Sequence, residues 1–331
     1  MRTQRMEETR MKRWRVIALV CTILACATLM LAGCNSESYS PAAKDQTVTD
    51  SALGKSGTLR VGVNTSAAPL AGQTQSDSRI VGIDVDVAAY MADQMGLKVD
   101  VVDVGNNPES ALSDGQVDVV LGVLVSDAED ADFWKSEPYL ATGVALFGTA
   151  AESAVPTTDS NPKIAAQASS KSSWQVTTLF GDGSLVQQDD PKATFAALNS
   201  GAARYAASDA IVGTYAAKTS EYDDKIVALL QDPTGYCAAV SKSNTELQSA
   251  VASAVNELAN KGVMDIIESK WLGAPLDLDK ITVIKAGSSE STSESSSAAS
   301  ESAASAEAAA SGEAAAPAEG EQAAEQAAPA E

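Results

Sequence analysis

Histidine is absent from all 331 residues, which removes imidazole acid–base chemistry and every triad that depends on it. Basic residues are scarce too: 23 Lys and Arg face 44 Asp and Glu, for a net charge of −21. Residues 1–33 hold six Lys/Arg against two Glu, and residues 286–331 hold nine Glu and no base, so residues 34–285 carry −16. An acidic surface of that size repels phosphates, and nucleic acid is excluded as a partner. The charge-free apolar run Val16 to Leu31 stops at sixteen residues, short of the roughly 20 that a stable transmembrane helix needs.

That run follows Arg10, Lys12, Arg13 and Arg15, the layout of an export signal. It ends in Leu31-Ala32-Gly33-Cys34, which resembles the lipobox of bacterial lipoprotein signal peptides. The resemblance implies removal of residues 1–33, a lipid such as palmitate on Cys34, and an extracytoplasmic protein anchored to the outer face of the cell membrane. An uncut signal anchor is the alternative. On the lipoprotein reading Cys21 and Cys26 leave with the signal and Cys34 is acylated, so Cys237 is the one remaining thiol. No disulfide can then form, and with histidine also missing, a zinc or iron site of soft ligands is excluded. Neither a metal nor a cofactor is expected. Cys237 itself reads as a small buried hydrophobe.

Two segments lack the apolar side chains that a core requires. Residues 34–56 are rich in Ser, Asp, Thr and Ala and read as a flexible tether. Residues 286–331 are almost purely Ser, Ala, Glu, Gln and Pro, a composition that cannot offset its ordering entropy, and a disordered tail is expected.

Between them, strand and helix patterns alternate, as in an α/β architecture. Leu59 to Val63 and Lys98 to Val104 alternate as strands do. Val87, Met91 and Met95 recur at i, i+4 and i+8 on a helix that Gly96 closes. Val117 to Leu121 is apolar nearly throughout, as a strand covered on both faces would be. A second series starts at Lys163 to Ala166, passes through helices around Trp174 and Phe195 to Leu198, and reaches Tyr205 to Ala207. Leu247, Val251, Ala254, Val255 and Leu258 form one helical stripe, and Gly262 interrupts it before Ile266, Ile267 and Trp271. Asp84 and Asp86 are expected to cap and begin a helix, and Trp134, Trp174 and Trp271 to anchor the core.

The order of motifs resembles the extracytoplasmic solute-binding proteins of family 3, which serve polar amino acid ABC importers. Thr58 to Val63 with Pro69 is similar to the family's opening strand, and Gly82-Ile83-Asp84-Val85-Asp86-Val87 to its Gly-aromatic-Asp-x-Asp-Leu segment. Leu112 to Asp118, Ser136-Glu137-Pro138-Tyr139 and Lys270-Trp271-Leu272-Gly273 match three further motifs, so that the likeness spans Gly57 to Gly273. It implies a two-lobed, periplasmic-binding-protein-like (type II) fold with an interlobe cleft. One lobe would take residues 57–143 and 240–285, the other residues 144–239. The function implied is capture of a small polar, amine-bearing solute by hinge closure and its delivery to the ABC permease by a monomeric, non-enzymatic lipoprotein. A sensory or adhesive lipoprotein with a degenerate cleft is the alternative. A dehydratase on the same fold, with Glu129 as its acid, is a more remote one.

The resemblance carries pocket roles to single positions, and several depart from the pattern. Gly122 to Glu129 falls on the family's Gly-x-Thr-x-Thr-x-x-Arg, so Leu124 and Ser126 occupy the Thr positions and Glu129 that of the carboxylate-gripping Arg. A solvated loop with a shifted register is the other reading of Glu129. Leu70 stands where the ring of a Pro-aromatic pair is usual. Gln167-Ala168-Ser169-Ser170-Lys171 resembles the loop that offers backbone N–H groups to a carboxylate, with Lys171 in place of a common Thr. Asp209 occupies the position that binds the ammonium, and Arg204 replaces the acidic residue usual in that strand.

Overall fold

The computed structural model of the chain describes residues 44–151 and 154–285. Residues 1–33, Cys34 and residues 286–331, with the signal, lipidation and tail expectations that fall on them, lie outside the described residues.

The first sheet grows around β1 (Thr58–Val63), in which Leu59, Val61 and Val63 are fully buried. A short hairpin of β2 (Gly72–Gln73) and β3 (Ile80–Val81) leads into α1 (Ile83–Gln94), then β4 (Lys98–Asp103), α2 (Pro108–Ser113) and β5 (Val119–Leu124). Strands β4 and β5 lie parallel on either side of β1. Val119 and Leu121 enter one hydrophobic cluster and Val120 and Val123 another, so β5 is apolar on both faces because both are covered. It begins two residues later than its apolar run, because Asp118 is drawn into an ion pair with Arg60 at 2.7 Å. Asp84 and Asp86 do stand in the first turn of α1, but they cap nothing: the N-cap is Gly82, with no side-chain cap bond.

The edge strands β6 (Trp134–Lys135) and β7 (Leu140–Thr142) follow, and the chain then crosses through Gly143 into a second sheet. This one holds β8 (Val144–Gly148), β9 (Ile164–Gln167), α3 (Lys171–Phe180), β10 (Leu185–Gln188), α4 (Pro191–Asn199), β11 (Tyr205–Asp209), α5 (Ala210–Thr219) and β12 (Lys225–Leu229). Strands β9, β10 and β11 are parallel, whereas β8 runs antiparallel to β11 and β12. Val176 and Phe180 of α3 pack on one face of the sheet; Phe195 of α4 meets Phe147 edge-on at 5.0 Å on the other. Because Ser172, Ser173, Val176 and Phe180 form the buried stripe of α3, Trp174 points outward and is 67% exposed, contrary to its expected place in a core. Trp134 and Trp271 do pack, half-buried, against the first core.

The chain returns to the first sheet as β13 (Thr234–Val240), antiparallel to β5, and closes that lobe with α6 (Thr245–Asn260) and α7 (Val263–Leu272). The amphipathic stripe Leu247, Val251, Val255 and Leu258 packs into the core that α1 also faces. These packing relations place the lobe boundaries differently from the expected ones. β13 hydrogen-bonds within the first sheet, so the second passage lies between Leu229 and Thr234 rather than at 239/240. The segment 276–285 does not stay in the first lobe: Leu278 and Ile284 are buried in the second-lobe cores, and Ile284 N–H donates to the Leu229 carbonyl at 2.8 Å. The chain thus passes between the lobes three times. The expected tether is also packed from Lys44 onward: Val48 is 1% exposed, Leu53 is buried, and Thr47 N–H donates to the Met95 carbonyl. Two apolar side chains in a polar stretch suffice to dock it.

Candidate functional site

Facing surfaces of the two lobes enclose a cavity of about 560 Å³. Leu70, Asp84, Gly122 and Asp127 reach it from the first lobe, Lys171 and Asp209 from the second. Glu109 completes its charged lining, which is therefore four carboxylates to one lysine, with no arginine.

Asp209 ends β11 and caps α5, its Oδ1 accepting from the N–H groups of Ile211 and Val212 at 2.9 and 3.0 Å. Its Oδ2 accepts from Thr142 Oγ1 at 2.6 Å and Tyr236 Oη at 3.2 Å. Thr142 is the last residue before the first passage between lobes, and Tyr236 follows the second. One carboxylate of the second lobe is thus tied to both hinge strands. Burial raises its pKa, and the four donors oppose that rise.

Asp84 sits across the cavity in the first turn of α1, only 1% exposed. Tyr139 Oη donates to its Oδ1 at 2.6 Å and itself accepts from Gly122 N–H at 2.8 Å. Burial pushes the Asp84 carboxyl up to about 7 against the opposing pull of this single donor, and both burial and the neighbouring Asp84 push the Tyr139 phenol well above its usual range. Gly122 is required twice over: its φ is +73°, and a Cβ there would stand 2.6 Å from Asp84 Oδ2.

Lys171, the first residue of α3, reaches across the cleft to the Asp127 carboxylate and to Ser126 Oγ at 3.4 Å. Ser170 is the N-cap of α3 in a reciprocal capping box with Ser173, and Gln167 Nε2 donates to the Asp189 carbonyl at 3.3 Å. Of the positions carried over from the sequence, Leu70, Leu124, Lys171 and Asp209 line the cavity, and Ser126 stands at its edge through Lys171. Gln167 and Ser170 are not among the lining residues, and their side chains serve the loop itself. Glu129 is exposed and also outside the lining; a short 3-10 turn after β5 presents Asp127 instead. Arg204 is exposed on β11's leading edge, with its guanidinium 5.9 Å from the Tyr205 ring centroid. Sequence reading did not single out Thr142 or Tyr236 as site residues. It holds Tyr139 as a motif letter and Asp84 as a motif letter and helix start, neither of them as a site residue. Among the described residues no group of three His, Cys, Asp or Glu side chains is placed to hold a metal ion. Cys237 is fully buried in β13, where its thiol is pushed up to about 11 and faces the Val123 carbonyl.

Comparison with known proteins gives a consistent picture. The sequence model of the bacterial extracellular solute-binding proteins, family 3, matches residues 59–274. A solved ancestral cationic amino acid solute-binding protein superposes with a TM-score of 0.59 at 22% identity, over 65% of this chain and 96% of its own. The L-cystine solute receptor of Neisseria gonorrhoeae, in its unliganded open conformation, gives 0.58 at 24%, over 66% and 93%. A polar amino acid ABC uptake transporter substrate-binding protein from Streptococcus thermophilus gives 0.58 at 18%, over 67% and 88%. At these identities the likeness establishes the two-lobed fold of periplasmic-binding-protein type. No curated protein sequence matches the chain.

Proposed function

Because the chain belongs to the bacterial extracellular solute-binding proteins, family 3, we propose that it is the receptor lipoprotein of an ABC importer. It captures a small amine-bearing solute between its lobes and hands it to the permease. The observation that carries this reading is Asp209: a carboxylate facing the cavity and hydrogen-bonded to both hinge strands, so that a cation drawn to it bears on the lobe that carries it and on the strands about which that lobe turns. A ligand touching both walls favours the shut state, which is how binding becomes a signal to the permease.

The missing arginine bears on the class of solute. An unmodified α-amino acid needs a positive partner for its carboxylate, and Lys171, already facing Asp127, is the one base at hand. Amines without a carboxylate, such as polyamines, need none. The dehydratase alternative rests on Glu129 as its acid, and Glu129 is not among the residues that line the cavity.

Thermal-shift screening of the protein against amino acids, polyamines and related amines tests the reading. Strong stabilisation by at least one amine is the expected result; none from any of them would favour the sensory or adhesive alternative. The anchor is tested separately. Cys34→Ala should leave the membrane fraction, since several acyl chains hold firmly where one is marginal, and a variant that still pellets after a salt wash would refute lipidation at that cysteine.

A further inference from the structure

Residues 44–56 lie ahead of the stretch shared with the family, 59–274, yet they are bound down along their length. Val48 and Leu53 are buried in the first-lobe core. Lys44 Nζ pairs with Asp93 at 2.7 Å, and Thr47 N–H donates at 3.0 Å to the carbonyl of Met95, the C-cap of α1. Thr49 donates from its N–H and its Oγ1 to the two Glu246 oxygens at 2.6 and 2.8 Å, and Gly54 N–H donates to Asp118 at 2.9 Å. Gly96 is bare where the segment crosses it: a Cβ there would stand 2.4 Å from the Asp45 carbonyl oxygen.

These contacts gather at one end of the lobe. Thr58 begins β1 beside Lys55, whereas Asn64, one residue past the far end of that strand, lines the cavity. Asp84 opens α1 at the cavity, and Met95 closes it at the docked segment. A strand of six residues spans about 20 Å and a helix of twelve about 18 Å. The segment therefore grips the floor of the first lobe, with the cavity at the opposite end.

We propose that residues 44–56 form a clasp that brings the lipid anchor out at the floor of the first lobe, so that this lobe stands next to the membrane and the second is the one that swings. This rests on the lipoprotein reading above and adds a geometry to it. Ten residues lead from Cys34 to Lys44, at most about 35 Å of chain. With the clasp undone, the limit up to Thr58 would be about 80 Å.

Trypsin tests the clasp, because residues 35–43 hold no Lys or Arg, and Lys44 and Lys55 are the first two sites after the anchor. Both side chains are exposed, so protection there comes from the docked backbone. Past Lys285 the chain offers no further site, and an antibody to the tail follows the lobes. In membranes carrying the full-length chain, the wild-type lobes should stay pelleted through a mild digestion. The double variant Val48→Asp, Leu53→Asp should be shed about tenfold faster or more, having lost two buried apolar side chains, with new N-termini at Asp45 or Ser56. Glu246→Ala leaves both apolar side chains in place and should be shed at an intermediate rate, which guards against misfolding of the double variant. Placement is read by fluorescence transfer to an acceptor in the lipid headgroups, since Cys237 is buried and an introduced cysteine takes the label. A donor on Lys98→Cys, at the floor, should transfer more strongly than one on Glu129→Cys, near the cavity mouth. Equal shedding of wild type and double variant would overturn the clasp, and equal transfer from the two labels would overturn its placement at the membrane; both results leave the anchor standing. Recovery of the full-length chain in the soluble fraction would overturn the lipoprotein reading and this proposal with it.

Discussion

The two lobes are wired alike and charged differently. In each sheet a first parallel strand lies between the second and the third, and the third pairs with an antiparallel strand that has just crossed from the other lobe: β4-β1-β5-β13 in one, β10-β9-β11-β8 in the other. The C-terminal end of the third strand feeds the cavity in both. In the second lobe that end is Asp209, locked by a helix N-terminus and two hinge hydroxyls. In the first it runs into a loose 3-10 turn with Asp127 exposed, and the buried carboxylate comes instead from the helix start at Asp84. Equal topology therefore does not fix where charge is placed. Local partners do: Asp209 is held by the helix it caps, and Asp84, which caps nothing, by the Tyr139 hydroxyl.

Four measurements would break or sharpen that contrast. The largest effect is expected at the locked end. Asp209→Ala should weaken binding of the best amine found by screening about 100-fold or more, since removing one partner of a buried pair costs about 3 to 5 kcal/mol, and should lower the stability of the free protein by about 1 kcal/mol through the lost cap. An affinity within about threefold of wild type by calorimetry would show that the second-lobe carboxylate does not hold the solute.

Next comes the pH dependence of the first-lobe carboxylate. The native state keeps the Asp84 proton up to about pH 7, whereas the unfolded chain releases it near pH 3.9. Its contribution to stability is therefore fully present below about pH 4 and is lost as pH rises through 7, at up to about 1.4 kcal/mol per pH unit inside that window. Denaturant titration of wild type and Asp84→Asn at mildly acidic and mildly alkaline pH should show the variant flattening this slope. Identical slopes would mean that the carboxylate is solvated.

Gly122→Ala should cost about 1 to 3 kcal/mol, from a left-handed φ and the close approach to Asp84 Oδ2; a melting temperature within error of wild type would contradict the tight wall described. The smallest effect belongs to the exposed pair. Lys171→Met should change stability by less than about 0.5 kcal/mol, because both partners are more than half exposed, yet it should shift the lobes toward a more open average in solution scattering. A large stability loss would make that contact structural rather than a cleft contact.

Much of the fold could be read from the sequence because its signals are periodic. The stripe from Leu247 to Leu258 and the alternation of Leu59 to Val63 mark buried faces that packing then honours. What could not be read is non-periodic. Val48 and Leu53 dock the segment before β1, yet two apolar residues among polar ones leave no pattern. Leu278 and Ile284 follow the last helix without a helical or strand repeat, so their return to the second lobe was invisible. At the site, Asp209 and Lys171 were accessible through motif position. The partners that define Asp84 and Asp209 were not, since Tyr139 lies 55 residues from Asp84 and Thr142 lies 67 from Asp209. Glu129, counted onto the family's Arg position, is exposed and outside the cavity lining, as its solvated-loop reading expects, while Asp127 of the preceding 3-10 turn lines it.

The third passage of the chain between the lobes bears on affinity. Two connections leave a pair of bodies free to bend and to twist, while a further strap anchored at Leu278 and Ile284, with Lys218 Nζ held by the Lys270 and Trp271 carbonyls, adds a restraint against twist. The open receptor then samples fewer arrangements than a loosely hinged one, so closing onto a solute sacrifices less conformational entropy. More of each contact's energy is left over as binding strength, and a small solute with few atoms can still be held.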